Sequence, residues 1–399
     1  MTDWSLIAAE FPGLDDRTFL DAACVSLLPH RADEAVREFS SRLVRPEAGS
    51  ATEHHIWMDD QRREATCRVA EMLGCGDDQI ALVESTTQGL NIAAQVIPWQ
   101  VGDDIVMCDL EFLQVAIPFA KLSGRGDVVL QFVNHRGGVA DVDAFAATVG
   151  PSTRAIVVSS TQWSNGYRIN LSGLAEVAHS VGAWLVVDGV QQAGAVPFDL
   201  EGVDFLMAGG HKWLNAPMGT GFLYLSRRVL EQLEPTSWGY LALAPPEGGW
   251  GGYFSTPDIT PQRSYEFVDS AKRFETGGTA NYPGAIALAK STELVNDIGM
   301  DVVATRVWEL GARVIEGLRR LDVELESPFA EEHRAGIVAF SLGSRQRDRA
   351  CLDSLLARRI FVSQRYTANT GGVRASVHFF KDEDDVEVFL TAVAAFLRV

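Results

Sequence analysis

The sequence predicts an α/β protein in which a large, mostly parallel sheet domain is joined to a smaller C-terminal α+β domain. Three observations carry this prediction. Between Ile80 and Leu225, short β-branched runs alternate with helical patterns, which is typical of a parallel sheet covered by helices on both faces. The C-terminal part changes to long helical runs followed by separate strands. The length of 399 residues also exceeds that of one typical domain.

The large sheet is predicted from short apolar runs bounded by turn residues. These runs are Ile80–Val83, Ile105–Cys108, Val128–Phe132, Ala155–Ser159, Trp184–Val187, Phe205–Ala208 and Gly221–Leu225. Apolar residues at helical spacing predict helices over Ala32–Val44, Thr87–Val96, Gln114–Leu122 and Leu171–Val181. The resulting order of strand and helix favours a parallel sheet.

The segment Pro235–Lys272 is irregular and rich in glycine, proline and aromatic residues, which favours an ordered functional loop over a disordered one. Beyond it, the pattern predicts four helices and three strands: Gly284–Ile298, Met300–Leu321, Arg347–Arg358 and Asp382–Leu397, with Val323–Glu326, Gly336–Leu342 and Val373–Phe379. We therefore expect a large domain over residues 20–283, and a smaller domain formed by residues 1–19 and 284–399.

The composition excludes several classes of function. A formal net charge of −19 disfavours nucleic acid or an anionic membrane as the main partner, because the electrostatic interaction would be repulsive. The five cysteines are odd in number and scattered, so they are interpreted as reduced thiols with neither a disulfide framework nor a metal site. No signal peptide pattern or long apolar stretch is present, and a cytoplasmic enzyme is expected.

Lys212 is the most informative residue of the chain. It closes an apolar, glycine-flanked run that begins at Val203, and it lies downstream of Asp188, which ends another apolar run. Strand ends of this kind meet at one edge of an α/β sheet. An amine that can form a Schiff base, beside a carboxylate that can hold a proton on a pyridine nitrogen, indicates a pyridoxal phosphate (PLP) site.

The run Ser85-Thr86-Thr87-Gln88-Gly89-Leu90-Asn91 follows a predicted strand and opens a predicted helix. Hydroxyl groups and free backbone N–H groups at a helix N-terminus can bind a phosphate. On its own, this run is more typical of a simple helix cap than of a phosphate site. Its order in the chain with Asp188 and Lys212 favours the phosphate site.

Taken together, these motifs resemble the fold-type I PLP-dependent enzymes of the class V aminotransferase superfamily, which includes cysteine desulfurases, selenocysteine lyase and isopenicillin N epimerase-like proteins. The resemblance extends from Leu20-Asp21-Ala22-Ala23 to Arg374-Ala375-Ser376. It implies catalytic roles for Lys212 and Asp188. It further implies cofactor contacts from Thr86, Thr87, Phe112, Asp188, Gln191, His211, Lys212 and Thr279, and substrate carboxylate contacts from Asn165 and Arg374.

Several of these assignments depend on the resemblance alone. Thr86, Thr87 and His211 would contact the phosphate, Gln191 the phenolic oxygen, and Phe112 the face of the ring. Thr279 would reach the phosphate of a neighbouring subunit, which implies a homodimer with shared active sites. Gly209 stands where the family often has serine, so one phosphate contact is missing from the pattern.

The sequence departs from the desulfurases just upstream of Arg374. Desulfurases carry a nucleophilic loop cysteine there, whereas the run from Phe361 to Gly371 contains no cysteine. Cys351 lies within a predicted helix and is expected to be packed. A persulfide-forming desulfurase is therefore disfavoured.

The reactions that are left open are those that begin with a carbanion at Cα of an amino acid. We expect cleavage of a C–S bond by β-elimination in an amino acid or a bulky S-conjugated amino acid, and the many aromatic residues outside the core pattern suggest the bulky substrate. Amino acid epimerisation and transamination or decarboxylative oxidative deamination are alternatives. A non-catalytic regulator is disfavoured because the catalytic residue set is intact. The expected partners are a small amino acid substrate and a second copy of the chain.

Overall fold

The computed structural model describes residues 2–126, 128–257, 259–277 and 279–398. Its helices are α1 (Trp4–Ala9), α2 (His30–Val44), α3 (Ala51–Leu73), α4 (Thr86–Val96), α5 (Leu113–Ser123), α6 (Val142–Ala146), α7 (Leu171–Ser180), α8 (Arg227–Gln232), α9 (Gly249–Phe254), α10 (Tyr282–Ile298), α11 (Met300–Arg320), α12 (Arg345–Ala357) and α13 (Glu383–Leu397). Its strands are β1 (Thr18–Phe19), β2 (Ile80–Val83), β3 (Asp103–Cys108), β4 (Val128–Val133), β5 (Thr153–Ser159), β6 (Trp184–Asp188), β7 (Phe205–Gly209), β8 (Gly221–Leu225), β9 (Glu324–Leu325), β10 (Ile337–Ser341), β11 (Ile360–Phe361), β12 (Ser363–Thr367) and β13 (Thr370–Ser376).

The main sheet has seven strands in the order β2-β8-β7-β6-β5-β3-β4. Strands β4, β3, β5, β6 and β7 pair in parallel, and β8 is antiparallel to both β7 and β2. Alternate side chains of its buried strands enter two separate cores, one on each face. This two-sided burial explains why the strands appear in the sequence as continuous apolar runs. The predicted fold class is confirmed.

The second sheet is antiparallel, with the strand order β12-β13-β10-β9, and helices α11, α12 and α13 enclose its core. A short parallel pair joins β1 to β11. The loop between β12 and β13 is a two-residue turn at Ala368 and Asn369, both of which have positive φ. The cysteine-free run from Phe361 to Gly371 therefore contains β12 and the turn of a β-hairpin. The division into domains at residues 283 and 284 stays a prediction.

The longest helix and the longest strand that the sequence did not predict are α3 and β12. The 23-residue helix α3 was not predicted, because its charged sequence has only a narrow buried face, which packs against α10. Strand β12 was not predicted either, because its polar residues lie at the edge of the small sheet. Among the described residues, none of the helices combines the length and the apolar character of a membrane-spanning segment.

Candidate active site

Asp188 and Lys212 lie at the same edge of the main sheet. Asp188 is the last residue of β6, and Lys212 follows the end of β7 by three residues. Strands β6 and β7 are parallel neighbours, with Asp188 in register with Met207. The Asp188 Oδ1 atom accepts a hydrogen bond from the backbone N–H of Val190 at 2.9 Å, which fixes the carboxylate. The sheet topology thus brings the predicted amine and carboxylate together.

Burial shifts both groups toward their neutral forms. Burial raises the pKa of Asp188 to about 6, against the opposing effects of the Val190 N–H and the charge of Lys212. Burial also lowers the pKa of Lys212 to about 8; Arg374 lowers it further, whereas Asp188 raises it. At neutral pH the carboxylate is therefore mostly ionised. A larger fraction of the amine is uncharged than for an exposed lysine, as a nucleophilic amine requires.

The N-terminus of α4 lies beside this pair. Ser85 caps the helix by accepting from the N–H of Gln88, and the Thr86 hydroxyl oxygen accepts from the N–H of Gly209 at 2.9 Å. The first-turn N–H groups of Thr86 and Thr87 belong to those that a helix leaves without intrahelical partners. This end of α4 is therefore held against the strand that leads to Lys212 and presents donors suited to a phosphate.

Gly209 and His211 complete this corner of the site. A Cβ atom at position 209 would lie 3.1 Å from Nδ1 of His211 and 3.5 Å from the Thr86 hydroxyl oxygen. The absence of a side chain at Gly209 therefore leaves room for the His211 ring and the Thr86 hydroxyl beside it. Burial lowers the pKa of His211, which favours its neutral form.

Phe112 occupies the N-cap position of α5, directly before the helix, and is 42% exposed. Its ring makes an edge contact with Trp163, with a centroid separation of 5.2 Å. Gln191 is buried, and its amide accepts from the Trp213 indole at 2.9 Å and donates to the carbonyl of Ala23 at 3.1 Å. The stacking role of Phe112 and the cofactor contact of Gln191 stay predictions.

Arg374 is 1% exposed and lies in β13, one of the two inner strands of the small sheet. It donates to the carbonyl of Trp163 at 2.7 Å and to Asp21 Oδ1 at 3.2 Å, while its buried Nε–H has no partner among the described residues. The side-chain amide of Asn165 donates to the carbonyl of Gly138 and accepts from the N–H of Tyr167. The guanidinium therefore keeps donor capacity for a carboxylate, whereas both contacts of Asn165 are with the backbone, as is typical of an asparagine in a turn.

Thr279 is exposed and lines a separate cavity of about 250 Å³ with Glu84, Gln88 and Thr220. Gly278, in the same predicted segment, lies outside the described residues. None of the contacts found among the described residues joins Thr279 to Lys212. A contact between Thr279 and a neighbouring subunit stays a prediction.

Glu111 is a buried carboxylate that sequence reasoning missed. It accepts hydrogen bonds from the Ser159 N–H and hydroxyl and from Gln162 Nε2. Ser159 is the register partner of Asp188 on the neighbouring strand, so the two acids lie close together. Burial raises the pKa of Glu111 to about 7, and the charge of Asp188 adds to the shift. The sequence feature that could have indicated this buried carboxylate is the position of an acidic residue between two apolar residues, Leu110 and Phe112.

Cys24 also lies near the site, although its sequence context shows no reactive motif. Its sulfur lies 3.5 Å from a guanidinium nitrogen of Arg365. The N–H of Ser26, two residues on, donates to the carbonyl of His211 at 2.9 Å, so this segment lies beside the Lys212 strand end. Cys351 is fully buried in α12, and burial raises its thiol pKa to about 12, in agreement with the expected packing role.

We expect Glu111→Gln to change how the stability of the PLP-free protein depends on pH. Burial raises the pKa of Glu111 from 4.5 to about 7, so its contribution to stability is full below pH 4.5 and is lost as the pH rises through 7. The variant should therefore gain stability relative to wild type over this window, by up to about 3 kcal/mol. Urea unfolding at both ends of the window measures the difference.

The exposed Glu176→Gln is the matched control for this experiment, and its stability difference from wild type should stay constant across the same pH window. Equal pH dependence of Glu111→Gln and wild type would contradict the prediction.

The comparisons with known proteins agree with this geometry. The model of the family described as aminotransferase class-V matches residues 18–389. A probable cysteine desulfurase of Methanothermobacter thermautotrophicus is 26% identical, over 96% of this chain and 95% of the relative. The isopenicillin N epimerase of Streptomyces clavuligerus is 27% identical, over 98% of this chain and 99% of the relative.

Among solved structures, the cystine C–S lyase C-DES in complex with its reaction product, cysteine persulfide, has a TM-score of 0.84. It is 24% identical, and the match covers 96% of this chain and 99% of that structure. A C-DES variant with glycine covalently linked to the PLP cofactor has a TM-score of 0.86 at 23% identity, over 99% of each chain. These likenesses show the fold.

The residues around Lys212 fit PLP. They provide a buried amine, a buried carboxylate, a helix N-terminus with hydroxyl groups, and an arginine N–H without a protein acceptor among the described residues. With the family match over most of the chain, the cofactor is pyridoxal phosphate. The chain belongs to the aminotransferase class-V family of PLP-dependent enzymes.

Proposed function

We propose that this protein is a PLP-dependent C–S lyase that cleaves the Cβ–S bond of an amino acid or a bulky S-conjugated amino acid by β-elimination. The observation that carries the proposal is the buried Lys212 amine, whose pKa is lowered by burial and which is influenced by the charges of Asp188 and Arg374. The reaction consumes one water for each S-substituted cysteine and gives a thiol, pyruvate and ammonium, so it needs no oxidant or reductant.

Each residue has a distinct task in this proposal. When bound, PLP supplies an aldehyde that takes up the substrate amine and a ring that accepts electrons from Cα. Lys212 removes the proton from Cα and serves as the acid that returns a proton. Asp188 keeps a proton on the ring nitrogen, and Arg374 binds the substrate carboxylate through its planar guanidinium.

The relatives support C–S chemistry. Several are described as cysteine desulfurases, and the fold is that of a protein described as a cystine C–S lyase. The sequence of this chain has no cysteine after Cys351, so the acceptor thiol of a desulfurase loop is missing from the β12–β13 region. Release of the sulfur as a thiol product needs no such acceptor.

The aromatic residues support a bulky substrate only in part. Trp163 lies at the site, through its carbonyl contact with Arg374 and its ring contact with Phe112. By contrast, Trp250 packs in a surface cluster with Tyr240, Tyr253 and Phe254, beside the start of α3. The choice of a bulky substrate therefore depends on Trp163 and Phe112 more than on the long aromatic segment.

Amino acid epimerisation is the second candidate, because the match to the isopenicillin N epimerase extends over nearly the whole of both chains. Epimerisation requires a proton to be delivered to the face of Cα opposite the one from which it was removed. Transamination or decarboxylative oxidative deamination would use the same Lys212 and Asp188. The proposal also includes a homodimer with shared sites through Thr279, and the division into domains at residues 283 and 284.

Assays on a series of S-substituted cysteines test the function. The PLP-loaded protein should release equal amounts of thiol and pyruvate, and should do so faster for S-benzylcysteine than for S-methylcysteine. Incorporation of solvent deuterium at Cα without loss of substrate would instead identify an epimerase. Accumulation of pyridoxamine phosphate would identify a transaminase, and either result without thiol release would overturn the lyase proposal.

A further inference from the structure

Trp213 follows Lys212 directly and is fully buried. Its indole N–H donates to the side-chain oxygen of Gln191 at 2.9 Å. On its other side, the Gln191 amide nitrogen donates to the carbonyl of Ala23 at 3.1 Å. An indole can only donate and a carbonyl can only accept. These two contacts therefore allow only one of the two orientations of the Gln191 amide.

The position of Trp213 is itself fixed from the small sheet. His378, fully buried just beyond β13, holds the carbonyl of Trp213 through its Nε2 at 2.9 Å. The Nδ1 atom of His378 accepts from the N–H of Phe379, so Nε2 carries the proton. A neutral ring agrees with burial, which lowers the pKa of His378 to about 3.

Packing leaves the Trp213 backbone little freedom to move. A Cβ atom at Gly194 would lie 2.3 Å from the Trp213 carbonyl oxygen, and one at Gly336 would lie 2.7 Å from the indole ring. Both glycines have positive φ, so the chain approaches the tryptophan from two sides where only glycine is readily accommodated. The indole N–H is thus held in one direction, toward Gln191.

We propose that Trp213 is a positioning residue that sets the amide orientation of Gln191, so that the amide presents its second N–H, and not its oxygen, to the phenolic oxygen of PLP. The inference rests on the proposed cofactor contact of Gln191. Without the indole N–H, only the Ala23 carbonyl still favours this orientation, so the amide is held less firmly and its oxygen can turn toward the cofactor oxygen. Trp213 acts on the cofactor only through Gln191.

A double-mutant cycle tests this coupling in the PLP-loaded protein, with Trp213→Phe, Gln191→Ala and the double variant. One readout is the pH midpoint of the visible absorbance change of the bound cofactor, and the other is the PLP dissociation constant. A donated hydrogen bond favours the anionic oxygen, so its loss should raise the midpoint by about half to one pH unit and weaken PLP binding roughly threefold to tenfold. The neighbouring titratable groups Asp188, His211 and Arg374 are present in all four proteins.

We expect each single variant to shift both readouts, and Trp213→Phe to add nothing in the Gln191→Ala background. Additive shifts, or no shift for Trp213→Phe while Gln191→Ala shifts both readouts, would overturn the positioning role alone. No shift for Gln191→Ala would overturn the cofactor contact of Gln191 and the inference together. With either outcome, the proposed β-elimination would still be tested independently by the release of thiol and pyruvate.

Trp308→Phe is the matched control, because it removes an indole N–H that donates to the carbonyl of Arg334 outside the site. It should leave both readouts unchanged. If Trp213→Phe fails to fold, substitution of Trp213 by β-(3-benzothienyl)alanine removes the N–H and keeps the ring shape. This replacement must give the shifts expected for Trp213→Phe, and unchanged readouts would overturn the inference.

Discussion

Lys212→Ala is expected to abolish covalent attachment of PLP and to reduce turnover by at least about 1000-fold, whether the reaction is β-elimination, epimerisation or transamination. In the proposed mechanism one amine both holds the cofactor and transfers the proton at Cα, and proton transfer alone contributes about 100-fold to 10,000-fold. Borohydride reduction followed by peptide mass spectrometry measures the attachment, and thiol release measures the turnover.

Lys121→Ala is the matched control for this experiment, because Lys121 is exposed near the end of α5 and should lose neither attachment nor turnover. Loss of borohydride labelling in Lys212→Ala, with labelling of the Lys212 peptide retained in Lys121→Ala, would support the assignment. Labelling that persists in Lys212→Ala at another lysine would contradict the central role of Lys212.

Asp188→Asn is expected to reduce turnover by about 100-fold to 1000-fold while covalent attachment of PLP remains. Asparagine keeps the shape of the side chain and the oxygen that accepts from the Val190 N–H, but it removes a buried negative charge. A buried charge stabilises a developing opposite charge strongly because the surroundings have a low dielectric constant. The ring nitrogen would then lose its proton, and Cα would become less acidic.

Borohydride labelling distinguishes the two substitutions, because Asp188→Asn should retain the labelling that Lys212→Ala loses. Asp199→Asn, at an exposed position, is the control and should match the wild-type protein in both labelling and turnover. Wild-type turnover in Asp188→Asn would show that this carboxylate has no catalytic role.

The predictable parts of the fold are those in which local pattern and tertiary environment agree. Strands such as β2 and β8 were predicted with their observed bounds, because burial on both faces makes their sequence continuously apolar. Helix α3 escaped prediction because its stability depends on packing against α10 and on the buried ion pair of Arg62 with Glu275. No local pattern reports such a distant partner.

The sequence alone determined the order of the motifs, and with it the fold class, the cofactor, and the pairing of Lys212 with Asp188 at one sheet edge. Those conclusions depend on residue type and on the chain direction of parallel strands. Only the tertiary structure decided what surrounds them: the second buried acid at Glu111, and the Trp213 contact that orients Gln191. Burial and hydrogen-bond direction depend on residues far apart in the chain, so they appear only when the chain is folded.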